Sequence, residues 1–132
     1  MTSKKSILVV DDDQNICKVL TANLKAKGYA AKCANTGKRA IEISENEHFN
    51  LALIDIRLPD MNGIQLLSQL RGTIPKMIKI IITGYPSVDN AVEALNKDAD
   101  AYIIKPLDMD KVMKTIDEKL KRQEAFEVTL YV

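Results

Sequence analysis

The sequence predicts an α/β fold in which a five-stranded parallel sheet is covered by helices on both faces. Short apolar segments alternate with helical segments five times along the 132 residues, without an interrupting linker or internal repeat. Such alternation is typical of parallel sheets joined by right-handed crossovers. Uninterrupted apolar segments are also expected for strands buried on both faces. With 46% hydrophobic and 28% charged residues, the chain has the balance of one globular domain.

The predicted strands are apolar and mostly rich in β-branched residues, the second being the weakest. In chain order they cover residues 6–10, 29–34, 51–55, 79–83 and 101–104. For five such strands the common arrangement is the flavodoxin-like order 2-1-3-4-5. In that arrangement the ligand crevice opens beside the carboxyl ends of the first and third strands.

The helices are predicted from apolar residues at helical spacing and from residues that can cap or end them. Thr36, Ser87 and Asp108 can cap the second, fourth and fifth helices. Gly28 and Gly72 stand where the first and third helices should end. The residues expected to face inward are Ile16, Val19, Leu20 and Leu24; Ala40 and Ile41; Ile64, Leu66, Leu67 and Leu70; Val88, Ala91, Val92 and Leu95; and Met109, Val112, Met113, Ile116 and Leu120.

Charge and composition argue against several classes of function. The 19 Lys and Arg residues nearly balance 18 Asp and Glu residues, unlike a general nucleic-acid or membrane-surface binder. No apolar run approaches the roughly 20 residues of a membrane span, and none near the amino terminus suits a signal peptide. We therefore expect a cytoplasmic protein. Cys17 and Cys33 lack metal-site or redox-motif spacing, so they are predicted to be small core residues.

Polar side chains stand at the ends of four predicted strands. Asp11 and Asp12 follow the first strand, Asp55 ends the third, Thr83 ends the fourth and Lys105 follows the fifth. Carboxylates gathered at one sheet edge repel one another unless a cation lies among them, and Mg²⁺ suits such oxygen ligands. Carboxylates, a hydroxyl and a lysine together match phosphoryl transfer, with Asp55 as the nucleophile candidate.

Each of these residues also has an ordinary structural explanation. Residues 11–13 could cap the first helix, because acidic groups are stabilised near a helix N-terminus. Thr83 could be a plain strand residue, and Lys105 a solvated lysine at a strand end. Their joint placement at the ends of the first, third, fourth and fifth strands favours a functional site.

The motifs at these strand ends resemble receiver domains of two-component response regulators. The resemblance covers about residues 5–122, with all motifs in the family's order. The matching segments are Val9-Val10-Asp11-Asp12, Ile54-Asp55 with Leu58-Pro59-Asp60-Met61-Asn62-Gly63, Ile82-Thr83-Gly84-Tyr85, and Tyr102-Ile103-Ile104-Lys105-Pro106.

The resemblance implies that Asp55 accepts a phosphoryl group from the phosphohistidine of a sensor histidine kinase or a histidine phosphotransfer protein. Asp12, Asp55 and the backbone carbonyl of Arg57 would hold Mg²⁺ directly, while Asp11 would act through a bound water. Lys105 would pair with Asp55 at rest and with a phosphoryl oxygen afterwards. The chain would catalyse only its own phosphorylation and dephosphorylation.

The resemblance also implies a conformational switch. Thr83 would swing inward to the phosphoryl group, and Tyr102 would rotate into the vacated space. The surface of helix 4, strand 5 and helix 5 would then change for a downstream output domain, a protein partner or a phosphorylation-dependent homodimer. In this family the peptide bond between Lys105 and Pro106 is expected to be cis.

Four further residues, one in the turn before the fifth strand and three beside the predicted site, carry their own expectations. Asp98 stands where many receivers have glycine, and aspartate tolerates left-handed backbone better than most residues. Gly84 would avoid crowding the phosphoryl group. Arg57 and Tyr85 are large and flank the acceptor, so we expect them to restrict water and slow loss of the phosphoryl group.

Residues 127–132 read as a short strand that is not a sixth receiver element and could pair with an edge strand of this chain or a neighbour, or belong to a linker. We expect a domain over residues 1–123 and a tail or linker start over 124–132. The chain could be a stand-alone receiver or part of a larger regulator. A non-phosphorylated adaptor with this fold is the alternative function. A haloacid-dehalogenase-type phosphatase would need an aspartate in place of Arg57, and a flavin protein would need a phosphate-binding loop after the first strand.

Overall fold

The computed structural model describes residues 4–70 and 76–131. Strands and helices alternate five times, as the sequence predicts. The elements are β1 (Ser6–Val10), α1 (Gln14–Ala26), β2 (Ala30–Ala34), α2 (Gly37–Asn46), β3 (Leu51–Asp55), α3 (Gly63–Leu66), β4 (Ile78–Thr83), α4 (Val88–Asn96), β5 (Ala101–Ile104) and α5 (Met109–Tyr131).

The five strands form one parallel sheet in the order β2-β1-β3-β4-β5. Its register places Val10 opposite Ile54 and Asp55 opposite Ile82, so the carboxyl ends of β1, β3 and β4 lie together. This arrangement confirms the predicted fold class and strand order.

Helices on the two faces of the sheet create two hydrophobic cores. In β1, Leu8 and Val10 join the core beneath α2 and α3, whereas Ile7 and Val9 join the core beneath α1 and α5. All four side chains are fully buried, and burying each contributes roughly 1.5–3 kcal/mol. Within the described ranges, none of the helices is long and apolar enough to cross a membrane.

Burial along the helices only partly follows the predicted apolar faces. Leu20 and Leu24 of α1 are fully buried, but Val19 is 48% exposed. The larger difference is in α4, which packs through the buried side chain of Ala94. Its predicted apolar face instead lies on the surface, with exposed fractions of 79%, 51% and 61% for Val88, Val92 and Leu95.

The predicted turn and cap residues are largely confirmed. Thr36, Ser87 and Asp108 each accept a hydrogen bond from the backbone N–H three residues later. Gly28 follows α1 with φ of 92°, which favours glycine. Helix α3 ends at Leu66, earlier than predicted, and Gly72 lies outside the described residues.

Two further backbone predictions are confirmed. Asp98 has φ of 68°, the left-handed conformation expected from its place before β5. The peptide bond between Lys105 and Pro106 is cis. Lys105 itself reaches the same sheet edge as the other strand ends because β5 pairs with β4 and its N–H donates a 2.8 Å hydrogen bond to the carbonyl of Thr83.

The strand predicted for residues 127–132 is wrong wherever the structure describes that segment. Helix α5 continues unbroken to Tyr131, and Val132 lies outside the described residues. Continuation of the helix satisfies the backbone without a partner strand, which outweighs the β-propensity of the tail. The expected domain boundary at residue 123 stays a prediction and falls inside this helix.

Cys17 in α1 and Cys33 in β2 form a disulfide, with their Cα atoms 6.1 Å apart. The prediction of two separate core thiols is therefore wrong, although Cys17 is buried as expected. Packing of α1 against β2 brings the two residues together. Their spacing in the sequence could not reveal this pairing because it depends on tertiary contacts.

Candidate functional site

The acidic segment after β1 divides into residues with different tasks. Asp13 caps α1, since its carboxylate accepts hydrogen bonds from the N–H groups of Asn15 (2.9 Å) and Ile16 (3.3 Å). Asp11 is fully buried and accepts a 2.9 Å hydrogen bond from the N–H of Asp13. Asp12 is exposed. Helix capping therefore explains Asp13 and leaves Asp11 and Asp12 for another role.

In the loop after β3, the backbone at Gly63 lies very close to the backbone carbonyl of Asp55. The N–H of Gly63 donates a 2.7 Å hydrogen bond to the carbonyl of Ile56. A β-carbon at Gly63 would overlap the carbonyl oxygen of Asp55, so no larger residue fits without a shift of the backbone. Asn62 caps α3 by accepting a 2.8 Å hydrogen bond from Ile64. These contacts hold the backbone of Asp55 and of the loop that follows it.

Asp60, in the same loop, has a structural role. Its two carboxylate oxygens accept hydrogen bonds, each 2.9 Å, from the N–H groups of Gly37 and Lys38 at the start of α2. The hydrogen bond from Lys38, followed by that from Gly37, lowers the pKa of Asp60. Asp60 therefore links the β3–α3 loop to α2 and does not join the acidic cluster.

Three carboxylates and one ammonium meet at the carboxyl edge of the sheet. Carboxylate oxygens of Asp11, Asp12 and Asp55 lie within 4.8 Å of one another. The Nζ atom of Lys105 lies 3.0 Å from Asp11 and 3.2 Å from Asp55. One ammonium cannot balance three carboxylates, so the cluster has an excess of negative charge. This set of oxygen donors fits a hard divalent cation.

Burial and pairing shift the pKa values of the two most enclosed charges. Burial raises the pKa of Asp11, while hydrogen bonds from Asp13 and Lys105 oppose the shift. Burial alone would lower the pKa of Lys105, but the hydrogen bond and charge of Asp11, together with Asp55, raise it. Lys105 is therefore held in its charged form beside Asp55.

Thr83 joins the same edge from the end of β4. Its side chain is buried, its carbonyl accepts a 2.8 Å hydrogen bond from the N–H of Lys105, and its hydroxyl accepts one of 3.0 Å from Tyr85. A β-carbon at Gly84 would meet the Lys105 side chain at an ordinary 3.8 Å. A methyl group therefore fits there, and crowding of a phosphoryl group at this position is an untested prediction.

Arg57 and Tyr85 form a contact that the sequence alone did not reveal. The guanidinium carbon of Arg57 lies 3.4 Å from the centre of the Tyr85 ring, a cation–π arrangement. Arg57 also donates its N–H to Asp55 at 3.4 Å. The stacked pair thus joins the loops after β3 and β4 beside the acceptor. The only signal in the sequence was that both residues are large and flank the predicted phosphoryl site.

Tyr102 is turned toward the protein interior. Its hydroxyl group is buried, with no hydrogen-bond partner among the described residues. Its ring packs against the core beneath α3 and α4. The rotation that the resemblance implies for Tyr102 stays a prediction.

Comparison with known proteins identifies the family. A sequence model described as "Response regulator receiver domain" matches residues 7–117. The chain belongs to this family. Receiver domains are the signalling domains of two-component response regulators, and the chain is one of them.

Individual relatives agree with this assignment. The receiver domain is 46% identical over 114 residues to transcriptional regulatory protein ZraR of Klebsiella oxytoca, a match covering 86% of this chain and 26% of that relative. It thus spans about a quarter of the length of the curated relatives it matches.

Solved structures also resemble this receiver domain. A CheY-like receiver domain protein from Methanospirillum hungatei is 46% identical with a TM-score of 0.89, over 93% of this chain and 98% of that chain. A response regulator from Burkholderia pseudomallei, solved with a phosphorylated aspartic acid, calcium ion and citrate, is 27% identical with a TM-score of 0.79. That match covers 94% of this chain and 73% of the other.

Proposed function

We propose that Asp55 is the phosphoryl acceptor and that the donor is the phosphohistidine of a sensor histidine kinase or a histidine phosphotransfer protein. A carboxylate oxygen of Asp55 forms the new bond to phosphorus as the bond between phosphorus and the donor nitrogen breaks. The observation that carries this proposal is the buried Asp55 carboxylate within the acidic cluster and 3.2 Å from Lys105. The phosphorylated aspartic acid of the Burkholderia regulator supports it.

The acidic cluster supports binding of Mg²⁺ to Asp12, Asp55 and the backbone carbonyl of Arg57, with Asp11 acting through a bound water. When bound, Mg²⁺ supplies positive charge that offsets the carboxylates and the transferring phosphoryl oxygens. Asp12 is the exposed member of the cluster and can meet an incoming ion from solvent. Asp11 is buried and orients Lys105 through its 3.0 Å contact.

Lys105 and Thr83 stabilise the product of the transfer. The Lys105 ammonium lies beside Asp55 before transfer and can pair with a phosphoryl oxygen afterwards, while Asp11 continues to hold it. The Thr83 hydroxyl is anchored near the same edge and can donate its proton to another phosphoryl oxygen. The protein therefore catalyses only its own phosphorylation and dephosphorylation, largely by positioning and charge.

The added charge would act on partners through Thr83, Tyr102 and the surface formed by α4, β5 and α5. Exposed apolar side chains on α4 and β5, including Val88, Leu95 and Ile104, support this as a contact surface. Its partner is a downstream output domain, another protein or a second phosphorylated copy. We place the receiver over residues 1–123, with a tail or linker start over 124–132, in the cytoplasm.

The test is incubation of the protein with Mg²⁺ and acetyl phosphate, followed by measurement of intact mass. The wild type should gain one phosphoryl group only when Mg²⁺ is present, and Asp55→Asn should gain none. Asp60→Asn is the matched control because Asp60 lies in the same loop but outside the cluster, so it should still be modified. No gain in the wild type would instead favour the non-phosphorylated adaptor, and an equal gain in Asp55→Asn would show that Asp55 is not the acceptor.

A further inference from the structure

The disulfide between Cys17 and Cys33 lies directly beside the acidic segment that follows β1. These are the only two cysteines in the chain. Cys17 is in the first turn of α1, where its N–H donates a 3.1 Å hydrogen bond to the carbonyl of Asp13. The Cα separation of 6.1 Å is within the usual range of about 4.4–6.8 Å for disulfides. The backbone thus allows the pair to form at this position.

One carbonyl group connects the two sulfur atoms to the functional site. The Sγ atom of Cys17 lies 3.4 Å from the backbone oxygen of Asp11. Asn35 donates a 2.9 Å hydrogen bond to that oxygen, and its amide nitrogen lies 3.7 Å from the sulfur of Cys17 and 3.9 Å from that of Cys33. Both sulfur atoms therefore lie close to groups that contact the backbone of Asp11, whose carboxylate pairs with Lys105.

The reduced and oxidised forms of the cysteine pair should make different contacts with the Asp11 carbonyl. A Cys17 thiol can donate a weak hydrogen bond to the Asp11 carbonyl and compete with Asn35 for it. A disulfide sulfur has no proton to donate, and the covalent bond fixes the start of α1 against β2. The oxidised form should therefore restrict motion of residues 11–13 more than the reduced form does.

We infer that Cys17 and Cys33 are a reversible redox site that adjusts how residues 11–13 bind Mg²⁺. The inference rests on the proposed function, since it assigns Mg²⁺ to Asp12 and the acidic cluster. We place this domain in the cytoplasm. Disulfides in the cytosol of mesophilic organisms are usually transient and either catalytic or redox-sensing. This pair therefore suits a reversible role better than a permanent structural one.

Oxidation by a small disulfide, such as oxidised glutathione, gives a balanced reaction. The thiolate of Cys33, which is half-buried, attacks the small disulfide and releases one small thiol. The thiolate of buried Cys17 then attacks the Cys33 sulfur and releases the second. The protein loses two protons and two electrons, and the small disulfide accepts them as two thiols. A small dithiol reverses both steps.

The test compares one wild-type preparation in its reduced and oxidised forms. Intact mass should show loss of two hydrogen atoms on treatment with oxidised glutathione, restored by dithiothreitol. The oxidised form should unfold at a temperature higher by about 5–10 °C. Isothermal titration with Mg²⁺ should give a dissociation constant about twofold or more lower for the oxidised form, because the acidic segment is preorganised.

Cys33→Ser is the control, because it cannot form the internal disulfide and lies outside the proposed Mg²⁺ site. Its Mg²⁺ affinity should not respond to either reagent. In the wild type, backbone amide signals of Asp12 and Asp13 should also differ between the two forms without any metal. This last readout is independent of Mg²⁺ binding and of phosphorylation.

Any of three results would overturn the inference. The first is failure of the disulfide to form and reverse under these reagents. The second is identical Asp12 and Asp13 amide signals in both forms, and the third is a Mg²⁺ affinity that oxidation leaves equal or weakens. If neither form binds Mg²⁺, the proposed metal site and the inferred control of it both fail. If Mg²⁺ binding responds to oxidation but phosphorylation never occurs, only the proposed phosphoryl function fails.

Discussion

The Lys105 ammonium contacts the carboxylates of Asp11 and Asp55 at 3.0 and 3.2 Å, so the two acids share one positively charged partner. Asp11 is the more deeply buried, and its pairing keeps Lys105 in place when Asp55 changes chemically. The sequence placed both acids and the lysine at one sheet edge, but it could not show that Lys105 contacts Asp11. That contact depends on side-chain positions across the ends of β1 and β5.

Arg57 and Tyr85 should slow hydrolysis of the phosphorylated domain by limiting access of water. Arg57→Ala or Tyr85→Ala removes their 3.4 Å stacking contact, so the dephosphorylation rate should rise several-fold. Arg57→Lys and Tyr85→Phe keep a cation and a ring, respectively, and should change the rate less. Decay of the phosphorylated mass after removal of acetyl phosphate measures these rates. Unchanged decay in both alanine variants would show that the stack does not protect the phosphoryl group.

Lys79 should make the stability of the protein depend on pH in the alkaline range. Its side chain is buried and donates to the carbonyl of Leu67, and burial lowers its pKa below 10.5. As pH rises through the lowered pKa toward 10.5, the folded protein loses this proton before the unfolded chain does. The free energy of unfolding of the wild type should therefore rise relative to that of Lys79→Met. Urea denaturation from neutral pH to about 10.5 measures both, and parallel pH profiles would contradict this account.

Among the elements, the loop between β3 and α3 has the tightest requirement for a particular residue. Gly63 approaches the Asp55 carbonyl so closely that Gly63→Ala must move the backbone beneath the acceptor. We expect a loss of about 1–3 kcal/mol in the free energy of unfolding and slower phosphorylation by acetyl phosphate.

Gly84→Ala is the matched control for this substitution, because a β-carbon there meets only the Lys105 side chain, at 3.8 Å or more. It should change the free energy of unfolding by less than about 1 kcal/mol. Urea denaturation of the two variants provides the comparison. Equal losses of stability in Gly63→Ala and Gly84→Ala would show that the close approach to Asp55 is unimportant.

The elements also show what sequence patterns can and cannot predict. The strands were predicted nearly residue for residue because buried parallel strands require unbroken apolar runs. The α4 pattern predicted a helix correctly, but helical spacing alone could not show that Val88 and Leu95 lie on the surface. Residues 127–131 were misassigned because strand propensity is weaker than the advantage of extending a helix that already exists.

Across the whole molecule, Gln123 ties the long helix α5 to the amino-terminal edge of the sheet. Its amide group donates to the backbone carbonyls of Asn50 (3.0 Å) and Lys76 (2.9 Å), and its oxygen accepts from Asn50 at 3.3 Å. Asn50 in turn accepts a 2.9 Å hydrogen bond from the N–H of Ser6. This network joins the beginnings of β1, β3 and β4 to α5, at the opposite edge from the acidic cluster.

Gln123→Ala should lower the free energy of unfolding by about 1–3 kcal/mol, because it leaves buried polar groups without their partner. Gln69→Ala is the control, since Gln69 is exposed and should tolerate the change. Both are measured by urea denaturation, and phosphorylation of Gln123→Ala should still occur because Gln123 is remote from Asp55. A stability equal to that of the wild type would mean that this network does not anchor α5.

The measurement that most directly tests the joint site at the strand ends is localisation of the phosphoryl group. After reaction with Mg²⁺ and acetyl phosphate, borohydride reduces an aspartyl phosphate to homoserine, and tandem mass spectrometry of peptides then identifies the modified residue. The account predicts homoserine at Asp55 in the wild type and no modification of the neighbouring Asp12 or Asp13. Modification at another aspartate, with Asp55 unchanged, would contradict it.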